Sequence, residues 1–156
     1  MKGLIFYRIL TVLVNTISFF LALSLLSGLP VIISQPAFAI PFFMMLCIVL
    51  YAWFANIFLK KVLLKNETIT KKTKDFIQVN AIVSFILCLL IITSGSMLLS
   101  DPKPYFDALS EMTNGKATDQ MAITQLWVFI FIFLALAIHI IWTYLLMRKR
   151  ADFFKD

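Results

Sequence analysis

Four uninterrupted apolar runs dominate this chain, at residues 9–29, 37–59, 76–99 and 126–147, and none of them contains a charged residue. A helix rises 1.5 Å per residue, so about 20 residues cross a hydrocarbon layer of about 30 Å. Each run meets that length. Strand spans would need alternation of period two, whereas residues 127–138 are apolar throughout. In lipid, a helix satisfies its own backbone polar groups. The expected fold class is therefore an all-α integral membrane protein with four transmembrane helices.

Composition excludes the alternatives. The 156 residues are 62% hydrophobic and 14% charged, against about 45–50% and about 25% in soluble domains. A small soluble domain lacks the interior to hide that much apolar surface, and disorder needs the opposite balance. The first run could be mistaken for a secretion signal, with Lys2 before it and Ala37-Phe38-Ala39 as a small-x-small site. Its apolar stretch exceeds a signal core of about 7–15 residues, so retention is expected.

Breakers divide the runs. Ser27-Gly28-Leu29-Pro30 is expected to end the first helix, Gln35-Pro36 to precede the second, and Asp101-Pro102-Lys103-Pro104 to stop the third. Short connections make successive helices antiparallel, which predicts an up-down-up-down bundle. Charge then orients it. The start carries Lys2 and Arg8, the loop at 60–75 carries six lysines, and the tail carries Arg148, Lys149, Arg150 and Lys155. Only Lys103 and Lys116 lie in the loop at 101–125. Both termini and the basic loop are thus expected in the cytoplasm, in a multi-pass protein of a bacterial inner or plasma membrane.

The basic loop is expected to touch anionic membrane lipids. It holds no aromatic side chain to stack on bases, so nucleic acid is not an expected partner. In the outer loop, Tyr105, Phe106, Leu109 and Met112 recur at helical spacing and predict a short amphipathic helix at about 104–112, ending near Asn114-Gly115. Tyr7, Trp53, Trp142 and Tyr144 fall toward the basic end as an aromatic belt. Glycine is scarce and GxxxG absent, so close glycine-mediated crossings are not expected.

Polar groups inside apolar spans are costly and mark candidate sites. Counted at 1.5 Å per residue from the basic end, Asn15 lies about 10 Å deep, His139 about 12 Å, Asn80 about 7 Å and Asn56 about 6 Å. These four form a candidate intramembrane polar layer. Arg8, Thr11, Asn15, Ser18 and Ala22 make a small and polar stripe on the first helix. Asn80, Ser84 and Cys88 make another on the third, and Ala135, His139 and Thr143 one on the fourth. All are expected to face the bundle interior. Arg8 reads as an anchor at the inner interface.

No catalytic, cofactor or metal site is expected. Cys47 and Cys88 are isolated within apolar runs, a single histidine cannot ligate haem twice within one chain, and phosphate-loop and metalloprotease motifs are missing. A lone His139, even beside Arg8 and Tyr144, lacks a carboxylate to make it a general base. The expected function is non-enzymatic: a scaffold or accessory subunit of a membrane complex, joined to a copy of itself or to another membrane protein. The alternative is a small transporter or channel using a cytoplasm-facing cavity around His139 and Asn15.

Overall fold

The computed structural model describes residues 2–113 and 118–155. Its elements in chain order are helix α1 (Lys2–Ser34), helix α2 (Ala39–Phe58), strand β1 (Ile69–Thr70), helix α3 (Lys71–Ser100), helix α4 (Lys103–Met112), helix α5 (Asp119–Lys149) and strand β2 (Phe154–Lys155). Four helical segments are long and apolar enough to cross a membrane. Large apolar side chains stand exposed on each, among them Phe20, Trp53, Ile82 and Phe131. Helix dominates the described residues, beside one short strand pairing in which β1 and β2 run parallel and join Ile69 to Phe154 and Thr70 to Lys155.

The helices run further than the apolar runs that announced them. Pro30 lies inside α1, which continues to Ser34. A proline forfeits one bond to the carbonyl four residues back, and the apolar sequence continues beyond it with no turn residues. The stop comes at Gln35, whose extended ψ of 87° is the geometry imposed by the following Pro36. Pro41 falls in the first turn of α2, where its missing N–H has no intrahelical partner to lose.

Beyond α2, Leu59–Leu64 continues as a π-helix. The basic loop expected at 60–75 is therefore mostly helical: Val62 and Leu63 are buried while Lys60 and Lys61 are exposed. Lysine stems can cover an apolar helix face while their charges leave it, so charge alone misplaces the boundary. Asn66 closes this helix at φ 54°, and Glu67 N–H bonds to the Lys61 carbonyl at 2.9 Å. A left-handed residue followed by such a back-reaching bond is a common helix terminator.

At the start of α3, Thr70 Oγ1 accepts the Thr73 N–H at 3.4 Å. At the start of α5, Thr118 Oγ1 accepts the Met121 N–H at 3.3 Å, with Asp119 in the first turn. These caps extend both helices past their apolar cores. Helix α4 begins at Pro102-Lys103 with a second proline at its first turn, and none of its residues is buried. Met112 is among the most exposed apolar side chains. The expected end near Asn114-Gly115 lies outside the described residues.

The chain divides into two compact units. Unit 1 comprises Met1–Ile86 and Ile138–Asp156; unit 2 is Leu87–Ala137. Within unit 2, a Cβ on Gly95 would stand 3.0 Å from Ile130 Cγ1. This is a close glycine-mediated approach of the kind not expected from glycine scarcity; one well-placed residue is enough. Within unit 1, Phe154 stacks on Phe58 with centroids 6.0 Å apart, and Lys74 Nζ lies 5.6 Å from its ring. Both phenylalanines are buried.

The tail is thereby clasped by packing more than by its two-residue ladder. Phe154→Ala should lower the stability of the detergent-solubilised protein by about 3 kcal/mol, the usual cost of emptying a buried phenylalanine site. Unfolding followed by circular dichroism checks this, and a loss below about 1 kcal/mol would show a loosely held tail.

Candidate functional site: a buried histidine cluster and an amide groove

The buried face of α1 is Tyr7, Leu10, Thr11, Val14, Ser18 and Leu25. At 3.6 residues per turn, Asn15 lies about 80° and Arg8 about 100° round the helix from the centre of that face. Thr11 and Ser18 of the expected stripe point inward; Arg8 is exposed and Asn15 half-buried. On α2 the interior face is Ile48, Tyr51, Ala52, Ala55 and Phe58, and Asn56 sits at its edge, half-buried. Asn80, Ser84 and Cys88 are all buried on α3.

The polar layer expected from depth alone is therefore divided. His139 lies at 0% exposure in a cluster with Tyr7, Thr11, Tyr51 and Thr143. Asn80 is buried but donates from Nδ2 to the Phe76 carbonyl of its own helix at 2.8 Å. Asn15 and Asn56 instead line a shared groove on the surface of unit 1. Of the four, only Asn15 and Asn56 share a site.

The cluster joins three helices. Thr11 Oγ1 donates to the Tyr7 carbonyl at 2.8 Å, and Thr143 Oγ1 donates to the His139 carbonyl at 2.8 Å. Thr11 Oγ1 also meets His139 Nε2 at 2.9 Å. Tyr51 OH meets His139 Nδ1 at 2.8 Å and donates to Thr143 Oγ1 at 2.9 Å. Tyr7 OH and Thr143 Oγ1 are 2.9 Å apart. The Tyr7 and imidazole rings stack with centroids 5.0 Å apart and 7° between planes. Tyr51 approaches the same ring edge-on at 5.7 Å.

These six contacts use hydroxyls with one proton each. Four hydroxyls and a neutral ring carry five protons, so one proton is shared between two acceptors or the ring carries a second. The tautomer decides which contact shares. Both ring nitrogens are engaged from inside the protein, as a structural pin requires. A ligand or a transported ion could reach His139 only by displacing one of these hydroxyls.

Two members of the cluster, Tyr7 and Tyr51, have another reading or none in the sequence. Tyr7 was assigned to an aromatic belt, yet it is fully buried; its neighbour Trp142 is half-buried and stacks on Phe6 at 5.6 Å. Thr143 and Thr11 stood in the polar stripes. Tyr51 carries no polar signal in the sequence because tyrosine counts with the apolar residues. A tyrosine in mid-span has a hydroxyl that needs a partner, and at nine residues from Lys60 it lies at about the depth of His139. Counting phenols with amides would have found it.

The groove is different in character. It has a volume of about 540 Å³ and is lined by Val12, Asn15, Thr16, Phe20, Asn56 and Lys60 among others. Thr16 Oγ1 donates to the Val12 carbonyl of its own helix. Among the described residues, neither the Asn15 nor the Asn56 amide has a hydrogen-bond partner, and Lys60 has no ion-pair partner. The described residues contain no group of three metal-ligating side chains. Comparison with protein-family models, curated proteins and solved structures gives no match to this chain.

Removing the Tyr51 hydroxyl (Tyr51→Phe) or the Thr143 hydroxyl (Thr143→Val) should each cost about 1–2 kcal/mol, because a buried partner is left unsatisfied. The double variant should fall short of the sum by at least about 0.5 kcal/mol, since the groups bond each other. Thr16→Val, exposed and bonded only locally, should change stability by less than about 0.5 kcal/mol. Strict additivity in the cycle would break the cluster into independent contacts.

Proposed function

We propose that this chain is a multi-pass membrane protein, with both termini and the lysine-rich connection on the cytoplasmic side, that serves as a non-enzymatic subunit of a membrane assembly. Its four long helices run up and down through the bilayer, and the asymmetry of basic residues sets their direction. The His139 cluster pins helices α1, α2 and α5. The groove on α1 and α2 takes a transmembrane helix of a partner protein.

One observation carries the reading: two carboxamides, Asn15 and Asn56, sit together on an outward-facing groove with no hydrogen-bond partner among the described residues. Lipid tails offer amides no hydrogen bonds, so a helix presenting acceptors satisfies them better than lipid does. Lys60 at the rim favours a partner carrying an acidic or carbonyl group near the interface. The transport alternative needs one hydrated cavity joining His139 to Asn15. The two lie in separate settings, one enclosed and one on the surface, which favours assembly.

Two measurements test this. In sealed inside-out vesicles, a thiol reagent should label Lys71→Cys but not Asp107→Cys, and labelling of both from one side overturns the topology. A photocrosslinker at Phe19 should join the chain to a defined membrane partner. Asn15→Leu with Asn56→Leu should weaken that capture at least about tenfold, as expected for losing interhelical hydrogen bonds of about 0.6–1.7 kcal/mol each. An unchanged crosslink in the double variant refutes the groove as the contact.

A further inference from the structure

A second cleft in unit 1 has the chemistry of a lipid site. It has a volume of about 520 Å³ and lies between α3 from Ile77 to Ile86 and α5 from Ile140 to Met147. Along α3 that is about 14 Å. Its floor reaches the buried Tyr51 and Thr143, and Ala81 leaves a notch between Ile77 and Phe85. Volumes of this size are typical of small-molecule sites.

Beside Tyr51 and Thr143 in the floor, two further polar side chains lie toward the basic ends of the two helices. Gln78 and Tyr144 line it there, and neither side chain makes a hydrogen bond among the described residues. One helical turn further out, the same faces continue to Lys74, four residues before Gln78, and to Arg148, four residues after Tyr144. Lys71 follows on the α3 face. Asp75 is the acid at the edge of these turns. Arg148 is exposed and has no ion-pair partner among the described residues. Lys74 Nζ lies 5.6 Å from the Phe154 ring centroid and has no ion-pair partner among the described residues.

We propose that this cleft holds one acyl chain of an anionic phospholipid. The phosphate sits between Lys74 and Arg148, and Gln78 and Tyr144 donate to the ester oxygens. The proposal rests on the membrane reading above and adds a ligand of stated chemistry to it. Moving a tail from bulk bilayer into an apolar cleft changes its surroundings little, because lipid tails are about as apolar as the lining. Selectivity must therefore come from the headgroup charge meeting the two cations that follow the cleft on α3 and α5. A helix from a second copy of this chain would fill the apolar length but would bring its own basic end to the same cations.

Native mass spectrometry of the full chain in mild detergent, with added phosphatidylglycerol or phosphatidylcholine, tests this. One phosphatidylglycerol should be retained per chain, at least tenfold more tightly than phosphatidylcholine. Lys74→Gln with Arg148→Gln should erase the preference, with helicity by circular dichroism unchanged. Ala81→Trp should reduce retention of both lipids several-fold, with helicity by circular dichroism unchanged. Asn15→Leu with Asn56→Leu should leave lipid retention intact, which separates this site from the assembly groove. Equal retention of the two lipids, or a preference that survives the charge variant, overturns the proposal. Efficient disulfide cross-linking of two copies through Ile82→Cys assigns the cleft to a second chain instead. A chain that is soluble without detergent retires the membrane reading together with the site.

Discussion

An imidazole held at both nitrogens by hydroxyls from two other helices organises the first unit of this protein. His139 is the point at which α1, α2 and α5 meet through directional contacts, with Thr11, Tyr51 and Thr143 around it and the Tyr7 ring against its face. Apolar packing fixes spacing but discriminates poorly between rotations of a helix whose faces are all hydrophobic. The very low amphipathicity of α5 is such a case, since its apolar residues surround the helix. The polar cluster sets its rotation there, because turning the helix would strand several buried groups at once.

Away from that pin, four polar side chains that are not fully buried stand out in the first unit. Asn15 and Asn56 face outward together, and Gln78 and Tyr144 sit at the mouth of a second cleft. Both places pair an apolar groove with polar side chains that make no hydrogen bond among the described residues, but their chemistry differs. The first presents carboxamides along two neighbouring helices, which suits the side chains of another helix. The second places its donors beside cations at one end, which suits an anionic head with a tail.

How much of this could be read in advance depended on what kind of signal each feature carried. The four long helices follow from unbroken apolar length, a one-dimensional property. The expected stop at Pro30 failed because one proline cannot outweigh a continuing apolar run, whereas Gln35-Pro36 succeeded through the steric restriction on the residue before proline. The Thr70 and Thr118 caps were present in the sequence and extend α3 and α5 past the apolar cores. The π-helical continuation at Leu59–Leu64 and the pairing of Ile69 with Phe154 had no such signal. A two-residue strand is shorter than any period.

Sequence alone determined the number of long apolar helices, the segregation of lysine and arginine to alternate connections, and the short list of polar side chains within the runs. Those are sums and spacings along the chain. Tertiary structure decided which of those polar groups meet: His139 with two tyrosines and two threonines inside, Asn15 with Asn56 outside, Asn80 with its own helix. Depth along a helix can be counted in residues, but the direction a side chain faces depends on helix rotation. Rotation is settled only when the partners on other helices are in place.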